Sequence, residues 1–228
     1  MNSEFTGFTR HTFDFLFEVG LINTCEWFEQ NRKRYETHVK RPLYALAARL
    51  LPTVLEADPA VNRRIASCVS RIRRDTRYTK DKRPYRSNAW IAYRHPQKSV
   101  SESWSFYFEI SPEGYGYGMG MFSGDAARMN AIRKAIKAEP SHFLALAAEL
   151  EANGFSVYGD SYKRNRYPDA DEAVARFLNL KGLGWSFFSD ALSETMTESF
   201  ADVLENRIRL MTPMYRFIQN ALLIAEDS

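Results

Sequence analysis

Cysteine is scarce in these 228 residues, and its two copies, Cys25 and Cys68, stand far apart. Neither belongs to a CxxC pair or a Cys–His spacing, which excludes a disulfide framework and the common zinc plans. The four histidines, His11, His38, His95 and His142, form no HxxxH or HxH pair, so no metal site is expected. The chain has no GxSxG elbow, no Walker loop and no carboxylate cluster of the kind that places two metals. No apolar run approaches the roughly 20 residues that cross a bilayer, and MNSEFTGFTRH lacks the basic-then-apolar plan of a signal peptide. The expectation is a cytoplasmic chain with no membrane segment, no metal and no cofactor.

What is present is ordinary in bulk and uneven in distribution. A hydrophobic content of 45% with 26% charged residues fits a globular chain long enough to bury a substantial core. Aromatic residues make up 14%, which predicts a core rich in flat rings. The net charge is only +3, so interest lies in where the charge sits.

Helical spacing dominates both ends of the sequence. Thr9 is placed to cap a helix carrying Phe13, Leu16 and Phe17 and ended by Gly20, and Thr24 to cap the next. Pro42 suits the first turn of a renewed helix with Leu43, Leu46, Ala47, Leu50 and Val54 inward, closed by Asp58-Pro59. In the middle the period changes to two. SWSFYFEI alternates apolar and polar residues, Ser111-Pro112-Glu113-Gly114 reads as a turn, and YGYGMGMF follows, which together predict an antiparallel hairpin. Gly116, Gly118 and Gly120 leave one face of its second strand bare, and packed aromatic side chains are the favoured occupants. IASCVSRIR and NAWIAYR are weaker strand candidates, FSVYG and GWSFF short ones. Helices return near Asp125, Ser141 and Glu172, and again from Ser193 with a restart at Pro213 and Val203 among the inward residues. The reading is one α+β domain over 1–228, a mostly antiparallel sheet from the middle packed by N-terminal and C-terminal helices.

The stretch RIRRDTRYTKDKRPYR, residues 71–86, holds eight basic and two acidic residues. Pro84 forbids a regular central strand, so an ordered loop is expected before it. Asp75 and Asp81 can accept bidentate hydrogen bonds from arginine and fix the remaining cations in place. Two outcomes stand open: a solvated basic surface with internal ion pairs of little worth, or a preorganised anion site. In the second, Arg73, Arg74, Arg77, Lys80, Lys82 and Arg86 supply charge, Asp75 and Asp81 order them, and Tyr78 and Tyr85 meet the ligand. Trp27, Asn31 and Tyr35 on the second helix either pack in the core or stand behind such a pocket. Lys163 and Arg164 in YKRNRY extend the field only if they fold beside it.

FTGFTRHTFDFL, NTCEWFEQNRKRYETHVKRPL and RRDTRYTKDKRPYR together resemble the family known as domain of unknown function 2461. The motif falls on Arg74, Asp75, Arg77, Tyr78, Thr79, Asp81, Lys82, Pro84, Tyr85 and Arg86, with Trp27, Phe28, Asn31 and Tyr35 on the helix. The likeness continues more loosely through Arg133 to Lys181. It departs at GMGMFSG, where the family carries a glycine pair leading to an aromatic residue and a proline. The resemblance supports the fold and transfers no activity. Three functions remain in view: binding of a phosphate-bearing small molecule or nucleic acid, a metal-independent enzyme for a phosphorylated or carboxylated metabolite, and a module docking an acidic protein. Oligomeric state is not legible.

Overall fold

A computed structural model describes residues 4–77, 79–96, 103–121 and 125–226. Helix α1 (Arg10–Ile22) buries Phe13, Phe15, Leu16 and Val19. Gly20 does not end it. The helix runs two residues further and stops at Asn23, which takes the left-handed conformation (φ 45°) that a short polar side chain tolerates. Before it, Gly7 has φ +100°, and a Cβ there would strike the Met196 backbone, so this turn requires glycine.

Thr24 accepts from the Trp27 amide and opens α2 (Cys25–Tyr35). The chain then passes through a π turn (Glu36–Lys40) directly into α3 (Arg41–Ala57). Sequence spacing predicts a renewed helix starting at Pro42, and α3 does start there, one residue earlier, with no gap between it and α2. The wider turn tolerates proline because the carbonyl it would normally engage, that of His38, accepts instead from the buried Thr12 hydroxyl at 2.6 Å. All five residues of the α3 stripe are buried.

The sheet is antiparallel in the order β1-β2-β3-β5-β4. Its strands are β1 (Ala89–Tyr93), β2 (Ser105–Ser111), β3 (Gly114–Gly120), β4 (Ser156–Tyr158) and β5 (Gly184–Ser189). The expected hairpin is β2–β3, and its register sets Phe106, Phe108 and Ile110 opposite Met119, Tyr117 and Tyr115. This face meets α8 (Phe200–Glu226), where Phe106 stacks on Tyr215 at 4.2 Å. Pro213 lies within α8 without a restart, and Val203 is 46% exposed, outside the core. On the other face Tyr107 and Tyr158 lean across the strands into the space left by Gly118, Gly120 and Gly184, and their hydroxyls bond one another. Neighbouring rings fill the bare strip.

IASCVSRIR is not a strand. Ile65–Cys68 forms a short helix α4, and only Val69 bridges Ile91 at the sheet edge. The remaining helices, α5 (Ala126–Ala138), α6 (Pro140–Ala152) and α7 (Glu172–Leu178), complete one contiguous core drawing on both ends of the chain.

Candidate anion groove

The basic stretch folds as a narrow ribbon. Arg73 bridges Tyr85, the Arg74 amide donates to the Pro84 carbonyl, and the Arg86 amide donates to that of Ile72. Pro84 lacks an N–H, and its place is where only its carbonyl is asked to bond. Inside the turn, Lys82 donates to the Thr76 carbonyl at 2.8 Å and Thr79 to the Asp81 carbonyl.

Two carboxylates take up part of the charge. Asp75 receives Arg77 through Nε and Nη2 at 2.9 and 2.7 Å, which lowers its pKa to about 2. Asp81 receives Arg83 and also Arg74, and both hold its carboxyl well below the usual range. Arg74, Arg77 and Arg83 are thereby committed within the loop. Arg71, Arg73 and Arg86 have no hydrogen-bonded or ion-paired carboxylate among the described residues.

These three arginines open onto a groove of about 1060 Å³ between the ribbon, α2 and the sheet edge. Arg74, Asp75, Arg77 and Tyr85 reach it as well, and Lys40 and Arg64 join from the π turn and the approach to α4. Its flat surfaces include Tyr35, Tyr44 and Trp90, all half-buried. Trp90 is held in register because its amide donates to Ser70 Oγ and its carbonyl accepts from the Ser70 amide. Burial, with Tyr44 alongside, pushes the Tyr35 phenol up to about 12. Glu29 stays below its ordinary pKa beside Arg32, which binds it through two nitrogens.

The remaining expected site residues lie elsewhere or play other parts. Lys80, Asp81 and Lys82 do not line the groove, and Tyr78 lies outside the described residues. The Tyr85 ring is 4% exposed and stacks on Phe28 at 4.3 Å, so it anchors the ribbon rather than offering a face to a ligand. Trp27 packs on Phe15, and Asn31 donates to the Trp27 carbonyl and accepts from Arg34, which is ion-paired to Glu18. Of that helix trio only Tyr35 reaches the groove.

Lys163 and Arg164 are exposed and follow β4, the strand at the opposite sheet edge from β1, so they do not extend the field. That region is organised by buried Arg133, which donates to the Leu178 and Leu180 carbonyls and lies against the Tyr162 ring. Sequence reasoning left Arg71 out of the binding set and missed Lys40, Arg64 and Trp90 as groove residues. The last three lie in separate segments, and only the fold brings them to the ribbon.

A second polar cluster was equally invisible. Asp58 Oδ2 accepts from the Tyr215 hydroxyl at 2.7 Å and lies 2.7 Å from His95 Nε2, while Oδ1 accepts from the Ala60 amide. Burial alone would raise the Asp58 pKa, but the hydrogen bonds from His95 and Tyr215 outweigh it and leave the group below its ordinary value. It joins the end of α3, the segment just after β1 and the middle of α8. Among the described residues no group of three or more His, Cys, Asp or Glu is placed to hold a metal, and no helix is long and apolar enough to cross a membrane.

The family described as "Conserved hypothetical protein (DUF2461)" matches residues 11–217, and the chain belongs to it. None of the curated proteins compared with the chain matches it.

Proposed function

We propose that this member of the family binds a phosphate-bearing anion in the groove between α2 and the basic ribbon. The observation that supports the reading is a division of labour among arginines. Arg77, Arg74 and Arg83 neutralise Asp75 and Asp81, while Arg71, Arg73 and Arg86 line the groove with no carboxylate bound to them among the described residues. Like charges held near one another by a fixed backbone repel, and an anion between them relieves that repulsion. Arginine suits the task because its planar fork matches phosphate oxygens two at a time.

Binding fits these residues better than catalysis. A general acid or base works best with a pKa near the operating pH. The groove carboxylates Glu29 and Asp75 are lowered by their arginines, and Tyr35 is raised to about 12. Two free thiols, Cys25 exposed and Cys68 buried, fit a reducing compartment such as the cytoplasm.

Calorimetric titration with inorganic pyrophosphate at low salt tests the reading. Binding is expected to the unaltered chain and to Arg83→Gln, and to be lost in Arg71→Gln and Arg73→Gln. Absence of pyrophosphate binding, or equal weakening by all three substitutions, overturns it.

A further inference from the structure

We infer that the occupant of this groove is single-stranded nucleic acid, an inference that rests on the anion-binding reading above. The distribution of charge is the first argument. Lys40, Arg64, Arg71, Arg73 and Arg86 come from the π turn, the approach to α4 and both sides of the ribbon. All but the half-buried Arg86 are exposed. With Lys40 and Arg64 added from two further segments to the ribbon arginines that meet one anion, the same open groove suits a chain of phosphates.

The rings are the second argument. Trp90, Tyr44 and Tyr35 line the same groove and are only half-buried, and the Trp90 backbone is pinned at both polar atoms by Ser70. A single strand offers unstacked base faces to such rings. A duplex hides them inside its stack, so rings beside cations gain nothing from it.

The lining also says how the strand is read. No asparagine or glutamine is among the described groove residues, and Asp75 and Glu29 are occupied by Arg77 and Arg32. The groups left to meet base edges are the cations with Ser67 and Ser70, and stacking on the rings tolerates any base because each has a π-face, so binding is expected to depend weakly on sequence.

Fluorescence anisotropy with labelled oligothymidylate and oligouridylate of about twelve nucleotides, beside a duplex of equal length, tests this. Both single strands bind more tightly than the duplex if the inference holds. Neutralising about four phosphates lowers affinity about fifty-fold between roughly 50 and 200 mM salt. Trp90→Leu weakens binding about ten-fold with an unchanged salt slope, while Arg73→Gln makes the slope shallower. Thermal melting of both variants checks that they fold. Duplex binding as tight as single-strand binding, indifference to Trp90→Leu, or equal competition by polyglutamate overturns the inference. If pyrophosphate binds and the oligonucleotides do not, this inference fails while the anion-binding reading stands. If neither binds at low salt, both fail.

Discussion

Asn23 grips Tyr85 by both polar atoms of its backbone: its Oδ1 accepts from the Tyr85 amide at 2.9 Å, and its Nδ2 donates to the Tyr85 carbonyl at 3.1 Å. The same residue ends α1 in the left-handed conformation. One side chain thus ties the α1–α2 corner to the ribbon, and the Tyr85 ring stacked on Phe28 completes the attachment. Asn23→Ala removes two hydrogen bonds and leaves a left-handed position without the short polar side chain that tolerates it, for about 3 kcal/mol in all. Asn23→Gly keeps the backbone comfortable and loses only the bonds, about 2 kcal/mol. Urea denaturation separates the two variants, and hydrogen exchange at the Tyr85 amide should accelerate in both.

The His38 carbonyl gives a second measurable contact. Pro42 stands four residues on and has no amide to offer, and the Thr12 hydroxyl takes its place at 2.6 Å. Thr12 is fully buried, so Thr12→Val is nearly isosteric and leaves a buried carbonyl short of a donor. The expected loss is about 1–3 kcal/mol by denaturation. Thr12→Ser retains the hydroxyl and should recover most of it. If valine is tolerated as well as serine, the hydroxyl has no part in allowing proline within the joined helix.

These contacts mark where the sequence stops being readable. The β2–β3 hairpin was legible because Phe106, Phe108 and Ile110 alternate with polar residues over a short span, and period two is a local property. The start of α3 beside Pro42 was legible because proline suits a first helical turn, but its unbroken passage from α2 was not, since Thr12, thirty residues earlier, supplies the donor that Pro42 lacks. IASCVSRIR looks like a strand from its apolar residues, yet it opens as a short helix and meets β1 only through the Val69 bridge and the Ser70–Trp90 hydrogen bonds. The ribbon was recognisable as basic, and Asp75 and Asp81 as its internal partners, because those pairings are close in sequence. Lys40, Arg64 and Trp90 were not recognisable as groove residues, since nothing local distinguishes them. Asp58, His95 and Tyr215 meet only through the packing of three elements.

That last trio links stability to pH. Tyr215 and His95 hold the Asp58 carboxyl below its ordinary 3.8. A carboxylate with a lowered folded-state pKa stabilises the fold above its unfolded value, and the contribution is lost as pH falls through the folded value. Stability should therefore decline below about pH 4, with Asp58 contributing to the slope. Asp58→Ala leaves the Tyr215 hydroxyl without its charged acceptor and is expected to cost about 3 kcal/mol at pH 7. The variant should also lose part of the acid sensitivity between about pH 4 and pH 2. An unchanged acid-unfolding profile in the variant would show that other carboxylates set the slope.

Asp81 makes the separation between loop charge and groove charge testable through a residue that does not itself line the groove. It holds both Arg74 and Arg83 and is absent from the groove lining. Asp81→Asn removes one negative charge beside the site and frees two guanidiniums, while the amide oxygen can still accept from the Arg83 backbone amide, as Asp81 does now. The ribbon pairing at Arg73 and Tyr85 does not depend on this residue, so the thermal midpoint should hold. Pyrophosphate affinity at low salt is expected to rise about two-fold, the size of one screened surface charge. The gain should vanish in high salt, and in the double variant with Arg73→Gln binding should be lost altogether. Weaker binding by Asp81→Asn alone would mean that the carboxylate clamp positions the cations the anion needs, and Arg74 would then belong with Arg71, Arg73 and Arg86 in the binding set.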